Sequence, residues 1–168
     1  GASHGYFTLL FAKLIGPSGH VFSFEPTKNQ YPYLVDNVRV NGYNYLVDAY
    51  NLGCWSTETD VLLKTNEKTK MKVISLDSLL DRPYHQKVDF IKIDVDGAEP
   101  EVLKGLEGII KSNPQLKMVI EYYPKYIEMM GLNPQDVLDF LDKYFTYSKI
   151  EGDYTEDYWN YYCIRKNG

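Results

Sequence analysis

Val88 to Val102 reads VDFIKIDVDGAEPEV, and the reading of this stretch decides the fold. An apolar run ends in two carboxylates one residue apart, Asp94 and Asp96, passes Gly97, and enters a helical pattern whose first turn carries Glu99 and Glu101. A strand that delivers acidic side chains to its own carboxyl end, beside a helix N-terminus, is how open α/β sheets build ligand sites. Pro100 suits the first turn, where a missing N–H costs nothing. The helix is predicted from about Glu99 to Lys111, with Val102, Leu103, Leu106, Ile109 and Ile110 as its apolar stripe.

Upstream, GASHGYFTLLFAKLIGPSG opens with a glycine-spaced loop and goes straight into a helix, with Phe7, Leu10, Phe11, Leu14 and Ile15 at helical spacing, stopped at Gly16-Pro17-Ser18-Gly19. A glycine loop of this kind normally follows a strand that holds it over a ligand, so an apolar strand is expected immediately before Gly1. Val21 to Phe24 is a short strand ending in Glu25, twenty residues after Gly5, close to the spacing at which a second-strand acid meets a ribose. A helix with Leu34, Val35 and Val38 stops at Asn41-Gly42, and Tyr45 to Tyr50 forms a third strand leading to the loop Asn51-Leu52-Gly53-Cys54-Trp55. DVLLK from Asp60 and MKVIS from Met71 read as a hairpin across the polar segment Thr65 to Lys70. SLDSLL reads as a helical turn capped by Ser75 or Asp77.

Downstream, Leu116 to Ile120 is another buried strand, ending in Glu121-Tyr122-Tyr123-Pro124. A short helix over Lys125 to Met130 and a longer one from Asn133-Pro134 follow, the latter with Val137, Leu138, Leu141 and Phe145 on one face. Tyr147 to Ile150 and Tyr161 to Arg165 form an antiparallel hairpin. Strands alternating with helices and closed by a hairpin predict a single α/β domain with a doubly wound, mostly parallel sheet and an antiparallel edge.

The chain has 168 residues, 44% of them hydrophobic, and a net charge of −5. It is long enough to bury a continuous core, and its acidic balance, without a dense Lys/Arg run, disfavours nucleic acid as a partner. Cys54 and Cys163 lie in apolar or aromatic surroundings that suit buried thiols and imply neither a disulfide framework nor a zinc site. No apolar run is long enough to cross a bilayer, so the expectation is a soluble, cytoplasmic protein.

GASHGYFTLLFAKLIGPSG, VFSFEP, NVRVNG, the NLG loop, VISLDSLL and above all FIKIDVDGAEPEVLKG, in this order and spacing, resemble the FkbM-type methyltransferases, a Rossmann-like family that uses S-adenosylmethionine. The resemblance covers about Gly1 to Glu121 and implies that the first strand of the family fold is missing, so that the domain is truncated at its N-terminus. His4 and Asp96 also depart from the family, which usually has a small or aliphatic residue and a glutamate there.

The resemblance places Gly1, Ala2, Ser3, Gly5 and Tyr6 in the cofactor loop, where backbone N–H groups approach the methionine carboxylate. It gives Glu25 the two ribose hydroxyls and puts Asn51 and Leu52 at the adenine edge; Leu52 reads equally well as core. Asp94 binds the cofactor's amino group or accepts the proton of an acceptor hydroxyl, with Asp96 and Glu99 sharing that work. Glu101 is a helix-end charge, as Asp96 and Glu99 are in the alternative. Glu121, Tyr122 and Tyr123 are candidates for the acceptor, a small molecule or glycan whose hydroxyl on a sugar, glycolipid or secondary metabolite is methylated. No residue set is assigned to a metal.

The further aromatics, Tyr126, Tyr154, Tyr158, Trp159, Tyr161 and Tyr162, read as packing ahead of the alternative that they line an acceptor pocket, and the Met129-Met130 pair reads as packing or as the underside of a mobile lid. Rival readings exist. DVDG also resembles the DxDG start of magnesium-dependent haloacid dehalogenase-like phosphatases, although Ala98 replaces the usual threonine and no downstream acidic pair completes the site. A nicotinamide enzyme wants GxGxxG where this loop has GxxxG. A non-catalytic remnant that binds cofactor, or only supports structure, is the third.

Overall fold

A computed structural model describes residues 1–62, 70–79, 87–152 and 157–166. Backbone contacts group the chain into two compact units, Gly1–Gly53 with Thr59–Val73 and Cys54–Glu58 with Ile74–Gly168.

In the first unit the opening loop leads into α1 (Tyr6–Ile15), followed by β1 (Val21–Phe24), α2 (Tyr31–Val40) and β2 (Val47–Tyr50). β1 and β2 pair in parallel, Val21 opposite Val47 and Phe24 opposite Tyr50. Ala12, Val21, Leu34, Val38, Leu46 and Val47 form the core, flanked by Leu9 and Phe11. The face of α1 that is buried differs from the expected stripe. Thr8 and Ala12 are buried, whereas Phe7, Leu10, Leu14 and Ile15 are exposed. Small side chains bring the helix close to β1, and the Thr8 hydroxyl meets the Ser23 hydroxyl at 2.9 Å. β3 (Gly53–Cys54), β4 (Thr59–Leu62) and β5 (Lys70–Ile74) form a three-stranded sheet in the order β3-β5-β4, so the predicted hairpin pairs antiparallel. Its connection over 63–69 lies outside the described residues.

The second unit contains α3 (Leu76–Leu79), β6 (Phe90–Ile93), α4 (Glu99–Lys104), α5 (Glu107–Ser112), β7 (Lys117–Tyr122), α6 (Pro124–Met129), α7 (Gln135–Tyr144), β8 (Phe145–Lys149) and β9 (Trp159–Arg165). Its sheet runs β6-β7-β9-β8; β6 and β7 are parallel, and β9 is antiparallel to both of its neighbours. Leu103, Leu106, Ile110, Leu116, Met118, Ile120, Ile127, Val137 and Leu141 are fully buried beneath it. Between β8 and β9, Tyr154 lies outside the described residues. The Met129 side chain is exposed and Ile127 fills the packing position of α6 instead.

The helix expected over 99–111 is two helices broken at Gly105 and Leu106. The Gly105 carbonyl accepts the Asp77 N–H at 2.9 Å and the Ser75 hydroxyl at 3.2 Å, which draws it out of the helical ladder. A Cβ at Gly105 would lie 2.0 Å from the Trp55 carbonyl oxygen, so the backbone of residue 55 occupies the space a side chain needs. Asp77 caps a helix other than its own: its two carboxylate oxygens accept the N–H groups of Gly108 and Ile109, both at 2.8 Å, at the start of α5. Among the described residues no helix is long and apolar enough to cross a membrane.

Candidate functional site

The first group of predicted residues surrounds the end of β1. Glu25 is only 3% exposed. Its Oε2 accepts the Ser3 N–H at 2.8 Å, and its Oε1 accepts the N–H of Thr27 at 2.9 Å and the Thr27 hydroxyl at 2.5 Å. The glycine loop is thereby tied to the carboxyl end of the strand. Ala2 N–H donates to the Phe24 carbonyl and Gly5 N–H to the Ala2 carbonyl, both at 2.9 Å. Ser3 and Gly5 both adopt left-handed backbone, with φ of 49° and 92°, and a Cβ at Gly5 would come within 2.9 Å of the Leu34 side chain.

The N–H groups of Ala2, Ser3 and Gly5 are therefore taken by the Phe24 carbonyl, the Glu25 carboxylate and the Ala2 carbonyl. The loop leads directly into the first turn of α1, and the first turn of an α-helix leaves N–H groups without intrahelical acceptors. Gly1, His4 and the Tyr6 side chain are exposed, and the His4 ring lies 5.3 Å from that of Tyr33. Asn51 donates through Nδ2 to the Glu25 carbonyl at 2.9 Å and the Pro26 carbonyl at 3.2 Å, while Leu52 is half-buried.

The second group lies at the carboxyl ends of β6 and β7. Lys92 pairs with Val119 and Ile93 with Ile120 across the parallel strands, so the next residues in register are Asp94 and Glu121. The twofold alternation of a strand puts Lys92, Asp94 and Glu121 on one face. Lys92 Nζ reaches Asp94 Oδ2 at 2.5 Å. The turn that follows is left-handed at Asp96 (φ 52°) and Gly97 (φ 102°), and a Cβ at Gly97 would lie 2.5 Å from the Tyr126 carbonyl oxygen, so this turn packs tightly on α6.

Glu99 folds back under the turn. It is 1% exposed; Oε1 accepts the N–H groups of Val95 at 3.2 Å and Gly97 at 3.3 Å, and Oε2 is buried with no hydrogen-bond partner among the described residues. Burial pushes its carboxyl above the ordinary range, outweighing those bonds, and the Asp94 charge adds to the shift. Glu121 is pushed up to about 8, chiefly by desolvation and then by the charges of Asp94 and Glu99, a hydrogen bond with Asp94 and the charge of Asp96. Glu101 stands apart from this cluster, bonded to the Ser56 hydroxyl and to Lys104 Nζ at 2.8 Å.

Tyr122 and Tyr123 point in opposite directions. Tyr122 is buried against Trp159 and Tyr161, at ring distances of 5.3 and 5.8 Å, on the face of the sheet away from Glu121. Tyr123 is partly exposed and stacks on Tyr126 at 4.2 Å, with Tyr158 at 5.7 Å. Two polar residues escaped the sequence reading. Thr27 was legible as a hydroxyl two residues beyond Glu25, and Lys92 as the same-face neighbour of Asp94 by strand alternation.

Parallel strands joined through helices, with acids at their carboxyl ends, define a Rossmann-like α/β protein. The methyltransferase FkbM domain matches residues 1–149, and the chain belongs to that family. Among solved structures, it is similar to the methyltransferase FkbM from Methylobacillus flagellatus, with 20% identity and a TM-score of 0.73 over 98% of this chain and 42% of that one. The O-methyltransferase TomG from Streptomyces achromogenes, involved in tomaymycin synthesis and solved with S-adenosylmethionine, gives 15% identity and 0.64 over 99% and 71%. The O-methyltransferase from Bacillus cereus, solved with the demethylated cofactor, gives 17% and 0.63 over 98% and 71%. At these identities the likeness is one of fold. The chain spans 42% of the length of the Methylobacillus protein. No curated protein matches.

Proposed function

We propose that this chain carries the S-adenosylmethionine site and the acidic acceptor face of an O-methyltransferase whose substrate is a hydroxyl on a sugar, glycolipid or secondary metabolite. The observation that carries this reading is the FkbM match over residues 1–149, which takes in both the Gly1–Gly5 loop and Asp94. Bound S-adenosylmethionine supplies an electrophilic methyl group on a sulfonium centre.

The residues around β1 fit such a cofactor. The N-terminus of α1 suits its carboxylate. An ionised carboxylate has about four lone-pair sites, and the protein's own bonds leave Glu25 Oε2 able to accept a ribose hydroxyl. Asn51 and Leu52 would border the adenine.

Asp94 accepts the acceptor's hydroxyl proton through Oδ1, because Oδ2 is held by Lys92. The alternative role of Asp94, holding the cofactor's amino group, uses the same carboxylate. Glu99 fixes the turn that carries Asp96, and Tyr123 offers the acceptor a ring to stack on. Tyr122 supports the strand end from behind.

The test is calorimetric titration of the full chain with S-adenosylmethionine, followed by transfer of labelled methyl to a panel of glycosides. Binding together with transfer that Asp94→Asn abolishes supports the reading. Binding without transfer to any acceptor supports a non-catalytic cofactor-binding role, and no binding overturns the assignment.

A further inference from the structure

We propose that Asp94 and Glu121 hold one proton between them in the resting protein and act as a pair, with Asp94 presented to the acceptor and Glu121 a positioning residue behind it. The inference rests on the reading of Asp94 as the proton acceptor. Its starting point is register: Ile93 opposite Ile120 places the next two side chains side by side on the same face of a parallel strand pair. Neighbouring strands lie about 4.8 Å apart, which brings the two carboxyls close enough to share a proton. Two ionised carboxylates are acceptors only, so a hydrogen bond between them requires a proton on one.

The surroundings decide which one. Lys92 Nζ donates to Asp94 Oδ2 at 2.5 Å, so the cation of this cluster sits on Asp94. Glu121 is 9% exposed and is faced by the carboxyls of Asp94, Asp96 and Glu99, with the amide side chain of Asn160 opposite it on β9. The buried Glu99 Oε2, without a partner among the described residues, marks how little compensation this pocket offers negative charge. The proton therefore resides on Glu121 and is donated to Asp94.

A lone aspartate beside a lysine is a weak base for an alcohol. A pair that has released its shared proton is a stronger one, because the second carboxylate favours recapture of a proton. In that state the hydroxyl proton passes to Asp94 Oδ1 and the pair returns to its singly protonated form. The singly protonated resting pair, with one negative charge, also avoids placing a second bare carboxylate in a buried site.

The experiment is an NMR titration of the full chain carrying 13C-labelled glutamate carboxyls, with the Glu121 signal assigned by its loss in Glu121→Gln. Glu121 is expected to be protonated at neutral pH, to titrate near 8, and to move towards the ordinary carboxylate range in Asp94→Asn. An ionised Glu121 at neutral pH overturns the proposal, and so does a titration that Asp94→Asn leaves in place. Should Asp94→Asn fail to fold, the wild-type titration decides by itself, and Lys92→Met, which is expected to lower the Glu121 signal's share of the proton in favour of Asp94, gives the second measurement. In methyl-transfer assays the rate should rise with pH through the same midpoint, and Glu121→Gln should remove that rise. A Glu121 that titrates as expected in a chain that binds no cofactor leaves the proton pair standing and overturns the methyltransferase reading. Methyl transfer by a chain with an ionised Glu121 does the reverse.

Discussion

The Glu25 carboxylate accepts the Ser3 backbone N–H at 2.8 Å, joining two residues twenty-two positions apart. This bond makes Glu25 part of the loop's own framework as well as a candidate ribose acceptor. The same side chain holds both the N–H and the hydroxyl of Thr27. One acid therefore organises the entrance to α1 and the exit from β1.

Glu25→Ala should lower the unfolding free energy by about 1–3 kcal/mol, because it leaves donors in a half-buried site without an acceptor. Glu25→Gln, which keeps one carbonyl oxygen, should lose less. Urea denaturation monitored by circular dichroism measures both. A change within about 0.5 kcal/mol for Glu25→Ala would mean that Glu25 behaves as an ordinary surface acid.

Gly105→Ala should be far more damaging than Gly42→Ala. At Gly42 the cost is conformational, a φ of 73° with nothing near the added Cβ, or about 1–2 kcal/mol. At Gly105 the added atom meets backbone at 2.0 Å, which no rotamer change relieves. Thermal unfolding of the two variants gives the comparison; equal losses would contradict the close approach of residue 55.

Asp77→Ala should cost about 0.5–2 kcal/mol, the range for losing a helix N-cap, even though Asp77 lies on α3 and the helix it caps is α5. Hydrogen exchange provides the specific readout: protection of the Gly108 and Ile109 amides should fall. Unchanged protection there would remove the capping role.

The pH dependence of stability should have two limbs of opposite sign. Glu121, raised from 4.5 to about 8, and Glu99, raised by burial, keep protons in the folded state that the unfolded chain has released. The Glu121 contribution is fully present below about 4.5 and is lost as pH rises towards 8, and that of Glu99 has the same sign. Glu107 runs the other way. Tyr144, Lys143 and Lys111 lower it from 4.5 to about 2, so its contribution is present above 4.5 and is lost as pH falls towards 2. Melting temperature against pH measures both limbs; Glu121→Gln should flatten the alkaline one and leave the acid one in place.

Amino-acid pattern alone determined the order of elements and the candidate acids. Short apolar runs separated by glycine and proline punctuation mark the strands, and VDFIKIDVDGAEPEV carries its strand, turn and helix start in local chemistry. Family membership was legible in the same way, because its motifs are contiguous. Tertiary structure decided what each acid touches. The burial of Thr8 and Ala12 in place of Phe7 and Leu10, the break at Gly105, and the capping of α5 by Asp77 all depend on atoms distant in sequence. The different surroundings of Tyr122 and Tyr123 arise because β7 ends at Tyr122 and Tyr123 opens α6. The proposed pairing of Asp94 with Glu121 is of the same kind: it is argued from two strands lying in register up to Ile93 and Ile120, and a charge's environment is set by its neighbours in space.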